Sequence, residues 1–221
     1  DGNGTDNDDA SETTSGVVNF TPGDGATTIT IDGVTVTSVG QTFEGEHGVL
    51  TITAIGADSV SYSYTLSDNT SGDATSDSFD FSVTDADGDT ASGDLVIDIV
   101  DDVPSAANDT DLVPAGAFGP ETGNVVTGVG TTSGAAGADV VGADNATVTG
   151  LASVNVPANV DNDSAGGFVL NGQYGVLPVQ ADGSYSYVRN PGTPGGVEDV
   201  FTYSLTDGDG DVDTATLTIS I

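Results

Sequence analysis

The chain has no cysteine, no methionine and no tryptophan, and its single basic residue, Arg189, stands against 35 Asp and Glu. Without cysteine there are no disulfides, no thiolate zinc sites and no cysteine nucleophiles. The formal net charge of −34 excludes a basic patch, and with it nucleic acid as a partner. Anionic membrane surfaces would repel such a chain. No apolar run is long enough to span a bilayer, so direct membrane insertion is not expected. The chain starts at Asp1 and carries no recognisable signal peptide; it reads as a segment of a longer protein whose export signals lie elsewhere. The one histidine, His47, sits in Glu44-Gly-Glu46-His47, and no serine has a nucleophile-elbow pattern around it. Paired carboxylates can hydrolyse glycosides, but a chain with no Trp and few aromatics has little with which to stack sugar rings. The expectation is a protein that is not an enzyme.

What is present is period-two alternation. It runs through Ile29–Ile31, Leu50–Ile52, Val60–Tyr64, Phe79–Val83 and Leu95–Ile99 in the first half, and Val154–Val156, Tyr185–Tyr187, Phe201–Leu205 and Leu217–Ile221 in the second. Thr and Ser fill the alternate positions, and Gly or Asp mark the turns. No window carries a helical stripe. Many short strands between turn residues predict an all-β fold, two tandem immunoglobulin/cadherin-like β-sandwich domains.

The number two comes from an internal repeat. Asp77-Ser-Phe-Asp-Phe-Ser-Val-Thr-Asp-Ala-Asp-Gly-Asp89 aligns without a gap with Asp199-Val-Phe-Thr-Tyr-Ser-Leu-Thr-Asp-Gly-Asp-Gly-Asp211, and Tyr62-Ser-Tyr64 matches Tyr185-Ser-Tyr187. His47 falls opposite Tyr174. Residues 17–103 and 104–221 are the expected domains, with Pro104 favouring an interdomain position because it cannot donate to a strand ladder. Residues 1–16 are acidic and lack alternation; they read as a flexible segment or an upstream linker. The small, polar stretch Gly128–Gly142 reads as a long loop.

The sharpest motif is Asp85-Ala-Asp87-Gly-Asp89 with its copy Asp207-Gly-Asp209-Gly-Asp211. Three carboxylates in five residues repel one another unless a cation lies between them, and calcium takes six to eight oxygen ligands in flexible geometry. A bare Asp-Gly hairpin turn is the alternative to a metal loop. The loops are not EF-hands: counted from Asp85, the sixth position is Thr90 and the twelfth Val96; counted from Asp207, they are Val212 and Thr218. Further ligands must come from elsewhere. In an immunoglobulin-like sandwich the loop of the last hairpin lies beside the incoming chain, which would bring Asp101, Asp102, Asn108 and Asp109 toward Asp207–Asp211. Asp73 and Asp77, at the other end of the first domain, would approach the same junction. Asp85, Asp87 and Asp89 would meet the N-terminal segment or an upstream domain.

Gly172-Gln-Tyr174-Gly-Val-Leu177-Pro-Val179-Gln-Ala-Asp182-Gly-Ser-Tyr185-Ser-Tyr187, followed by Asp199 to Asp211, resembles the VCBS and cadherin-like repeats of giant type I-secreted RTX adhesins of bacteria. Phe79 to Asp89 and the trailing Val100-Asp-Asp-Val-Pro104 are similar to repeats of biofilm adhesins. The resemblance covers roughly residues 17–221. It implies calcium-stiffened extender modules, monomeric, at the bacterial cell surface, whose partners are the neighbouring repeats and a host or surface ligand. The glycine-rich nonapeptides of RTX export regions are absent. Related cadherin-like rhizobial adhering proteins bind extracellular polysaccharide, so a calcium-dependent lectin-like module is the alternative.

Overall fold

A computed structural model describes residues 12–221 apart from 68–69, 71, 73 and 163–166. The chain divides into two compact units, the first ending at Asp101 and the second running Asp102–Ile221. Each is a sandwich of two β-sheets, and no helix among the described residues is long and apolar enough to cross a membrane.

The first unit contains β1 (Thr13–Asn19), β2 (Thr28–Ile31), β3 (Val34–Thr35), β4 (Thr42–Glu44), β5 (Gly48–Ile55), β6 (Ser59–Leu66), β7 (Thr75–Thr84) and β8 (Thr90–Ile99). They form sheets of order β1-β6-β5-β4 and β3-β2-β7-β8. Alternation sets which face is buried. Along β7, Asp77, Phe79, Phe81 and Val83 point inward while Ser78 and Asp80 face water. With Ile31, Leu50, Ile52, Val60 and Tyr64 they make the core. Tyr64 meets Phe79 edge-on, ring centroids 6.2 Å apart, the arrangement aromatic quadrupoles favour.

The turn from β2 to β3 places Asp32 and Gly33 at φ 49° and 74°. Two successive positive φ values define a hairpin turn of the primed type, which matches the right-handed twist of the flanking strands. A Cβ at Gly33 meets no atom within 4 Å, so Gly33→Ala carries only the left-handed backbone cost. The expected loss is about 1 kcal/mol, read as a fall of a few degrees in the first unit's melting temperature.

The second unit contains β9 (Asp109–Leu112), β10 (Glu121–Asn124), β11 (Thr147–Ser153), β12 (Val160–Asp161), β13 (Phe168–Asn171), β14 (Gly175–Val179), β15 (Ser184–Arg189), β16 (Glu198–Thr206) and β17 (Val212–Ser220). The sheets are β10-β15-β14-β13 and β12-β11-β16-β17-β9. The core repeats the first: Leu177, Tyr187, Phe201, Tyr203, Leu217 and Ile219 are all buried, and Tyr187 meets Phe201 at 6.3 Å. Among the described residues all strand pairings are antiparallel except one. β9 runs parallel to β17, with Asp109 beside Leu217 and Leu112 beside Ser220.

Two expectations need correcting. Thr13–Gly16 are not flexible but open β1, paired with Tyr62–Thr65; an exposed edge strand buries little and so shows no apolar alternation. Residues 1–11 of that segment lie outside the described residues. Val154–Val156 alternates but is not a strand. Its Asn155 instead clips the edge of β16, accepting from the Val200 amide at 2.7 Å.

Candidate metal centre

The β16–β17 hairpin closes through Asp207. Its Oδ1 accepts the amides of Gly210 (3.0 Å) and Asp211 (2.7 Å), and its own amide donates to the Asp211 carbonyl (3.1 Å). Gly210, at φ 115°, holds a conformation open to glycine alone. This turn consumes one Asp207 oxygen. The other, Oδ2, is buried and has no hydrogen-bond partner, and the residue is 8% exposed. Asp207, Asp209 and Asp211 each offer one carboxylate oxygen, and these oxygens lie within 4.8 Å of one another.

A further carboxylate, absent from the sequence expectations, belongs to this loop. Asp144 precedes β11, and its Oδ2 lies 2.6 Å from where a Cβ on Gly208 would stand. That oxygen too is buried and without a partner. Buried ionised carboxylates are stable only when paired or coordinated to a metal. The chain's one Arg is engaged elsewhere: Arg189 donates to the Thr193 carbonyl and lies 4.7 Å over the Phe118 ring. Two orphaned carboxylate oxygens at one three-carboxylate loop fit a calcium ion, whose ligands are all oxygens.

The chain enters the second unit beside this loop. Ala106 donates to Asp213 Oδ2 at 2.8 Å, Ser105 bridges Val140, and the Asp102 carbonyl lies 2.5 Å from a Cβ built on Gly142. Asn108 and Asp109 do not reach the loop. Because β9 runs parallel to β17, the chain moves away from the hairpin tip after residue 107. Asn108 accepts from the Thr216 amide and hydroxyl. Asp109 stands opposite Leu217, six residues beyond Asp211 and on the order of 20 Å along the strand.

The first unit's β7–β8 loop repeats the turn. Asp85 Oδ1 accepts the amides of Gly88 (3.1 Å) and Asp89 (2.9 Å), with Gly88 at φ 99°. Asp85, Asp87 and Asp89 come within 4.8 Å of one another. The Asp87 carboxyl, with the loop amides, holds Asp85 below the usual carboxylate range. The segment after β1 lies against this loop: Ala86 donates to the Asp24 carbonyl, and a Cβ on Gly23 would collide with Asp85. This cluster is more exposed than its copy. Asp101, at the end of the first unit, accepts the Gly72 amide through Oδ1, and its Oδ2 is buried without a partner.

Asp77 is not brought to a metal cluster. Its buried carboxylate accepts the amides of Glu46, His47 and Gly48 and the Tyr64 hydroxyl. Asp199 does the same for Gln173, Tyr174 and Tyr187. These two acids pin the β4–β5 and β13–β14 turns to the core, which also accounts for the correspondence of His47 with Tyr174. Asp73 lies outside the described residues.

A family model described as bacterial Ig domain matches residues 101–220, just over half of the chain. The chain belongs to that family. No curated protein matches it. Among solved structures it is similar to two endo-fucoidan hydrolases from glycoside hydrolase family 107, at 17% and 15% identity and TM-scores of 0.27 and 0.31. It is also similar to SGBP-B of a Bacteroides ovatus mixed-linkage glucan utilization locus, solved with a mixed-linkage heptasaccharide, at 15% identity and TM-score 0.22. These alignments cover 95%, 91% and 93% of this chain but 26%, 32% and 40% of those proteins.

Proposed function

We propose that this chain is a non-enzymatic, calcium-binding structural segment of a secreted bacterial surface adhesin, whose bound calcium stiffens the connection between successive immunoglobulin-like units. One observation carries the reading: the buried, unpartnered Asp207 carboxylate oxygen in a three-carboxylate loop beside the chain entering the second unit. The neighbouring Asp144 completes an oxygen-only donor set. Asp102, the first residue of the second unit, follows directly on Asp101. A cation gripping the loop and the entering segment would therefore restrict rotation where the two units join. The net charge of −34 supports the same view, since self-repulsion opposes compaction and divalent cations offset it. The adhesin context rests on the resemblance of the two hairpins to cadherin-like adhesin repeats.

Small-angle scattering of the whole chain, in calcium and in chelator, tests this reading. A stiffened connection gives a narrower distribution of long interatomic distances in calcium. Identical distributions in both buffers would sink it.

A further inference from the structure

The second unit has a loop, residues 126–140, with no counterpart in the repeat. It is laced to β9: the Thr132 and Ser133 amides donate to the Thr110 carbonyl, and Asp139 donates to the Val126 carbonyl. Beneath it lies Asp109, with no exposed surface. Its Oδ1 accepts the Ser133 hydroxyl at 2.6 Å. Its Oδ2 is buried and has no partner. Ser133 Oγ is 2.9 Å from Thr131 Oγ1, which donates to the Gly128 carbonyl. Gly137 passes so close that a Cβ would overlap both Asp109 Oδ1 and Ser133 Oγ, so the backbone seals the acid in.

A second acid comes from the same loop. Asp139 accepts the Ala107 amide at 2.8 Å and the Tyr203 hydroxyl at 2.9 Å. Burial pushes both Asp109 and Asp139 up to about 6; Asp111 adds to the rise at Asp109, and Asp109 and Asp213 add to it at Asp139. The geometry makes the demand: a fully buried carboxylate oxygen with no donor facing it must be met by a cation or a proton.

We propose that Asp109 Oδ2 and the Asp139 carboxylate, under the loop whose Ser133 hydroxyl holds Asp109 Oδ1, form a buried site for an oxygen-seeking divalent cation of the calcium class. The donor set is all oxygen, as hard cations require, and the loop closes over it as a cover. This site stands independently of the β16–β17 loop.

Calorimetric calcium titration of the whole chain, comparing the parent with Asp109→Asn and Asp207→Asn, separates the two sites. Asp109→Asn is expected to lose one calcium equivalent while keeping the one that Asp207→Asn removes. Its thermal effect should also change sign. Replacing a buried charge by an amide raises the melting temperature in chelator but lowers it in calcium. An unchanged calcium stoichiometry, or a rise in melting temperature of equal size in both buffers, would overturn the proposal and leave Asp109 a buried acid that takes up only a proton. Should Asp109→Asn fail to fold, Asp139→Asn carries the same comparison. Loss of binding in Asp207→Asn alone, with Asp109→Asn still taking up the parent's full complement, would support the loop site and overturn this one.

Discussion

Chelating calcium is expected to lower the melting temperature of the second unit by roughly 10 °C, and Asp207→Asn to remove most of that difference. The argument starts from Asp207, whose Oδ1 is spent on the turn and whose Oδ2 is buried and unpaired. Folding without a cation leaves that oxygen, and its neighbour on Asp144, desolvated and uncompensated. A cation that binds only the folded state stabilises by about 2.7 kcal/mol at a hundredfold excess over its dissociation constant. For a domain of this size each kcal/mol moves the midpoint by roughly 4 °C. Asp207→Asn keeps an oxygen for the turn amides but removes the charge, so its midpoint should hardly respond to chelator. Asp85→Asn, in the more exposed copy, should show the smaller effect. Scanning calorimetry in both buffers decides the matter, and coincident melts of the parent chain would refute it.

Asp77→Asn and Asp199→Asn each destabilise their own unit by on the order of 3 kcal/mol, since each removes charge-assisted hydrogen bonds from buried donors. Asp77 is 2% exposed and collects the amides of Glu46, His47 and Gly48 and the Tyr64 hydroxyl, at 2.7 to 3.2 Å. Every one of these partners donates. An asparagine has one accepting oxygen and presents an NH2 group to donors that cannot receive it. At Asp199 the donors are Gln173, Tyr174 and Tyr187, at 2.7 to 2.9 Å. Because the two acids sit in different units, each substitution should move one calorimetric transition and leave the other in place, which also assigns the transitions. A change below about 0.5 kcal/mol would show that the acids do not hold the turns.

The same site gives a pH dependence. Burial pushes Asp77 up, but the Tyr64 hydroxyl and the three amides outweigh it, and its pKa lies below the ordinary value. A depressed pKa in the folded state means the stabilisation is present above the unfolded value, about 4, and is lost as pH falls through the folded one. The first unit's midpoint should therefore fall steeply below pH 4, and Asp77→Asn should flatten that fall.

Much of this was readable in the residues because it is local. Phe79, Phe81 and Val83 announce the buried face of β7 by alternation alone, and Asp207, Asp209 and Asp211 are neighbours in sequence before they are neighbours in space. Asp144 could not be found that way. It reaches the loop through tertiary packing, and its Gly-Ala-Asp-Asn turn looks like many others in an acidic chain. Asp77 and Asp199 did carry a signal. Both fall in phase with the inward aromatics of their strands, and an acid at such a position must be met by donors. β9 was hidden for the opposite reason. Its inward residues are Asp109 and Asp111, so a buried strand reads as a solvated linker. Only the register with β17 shows where the chain goes after residue 107.

That register has a consequence for load. The strand by which the chain enters the second unit and the strand by which it leaves lie side by side and point the same way. A pull on the two ends drags β9 and β17 in opposite directions along their length. Their hydrogen bonds are then strained in shear, all together, and not peeled one at a time. In the first unit, among the described residues, β8 has β7 as its only ladder partner and no such clasp. Under tension this clasp would make the second unit yield all at once, as a lock does.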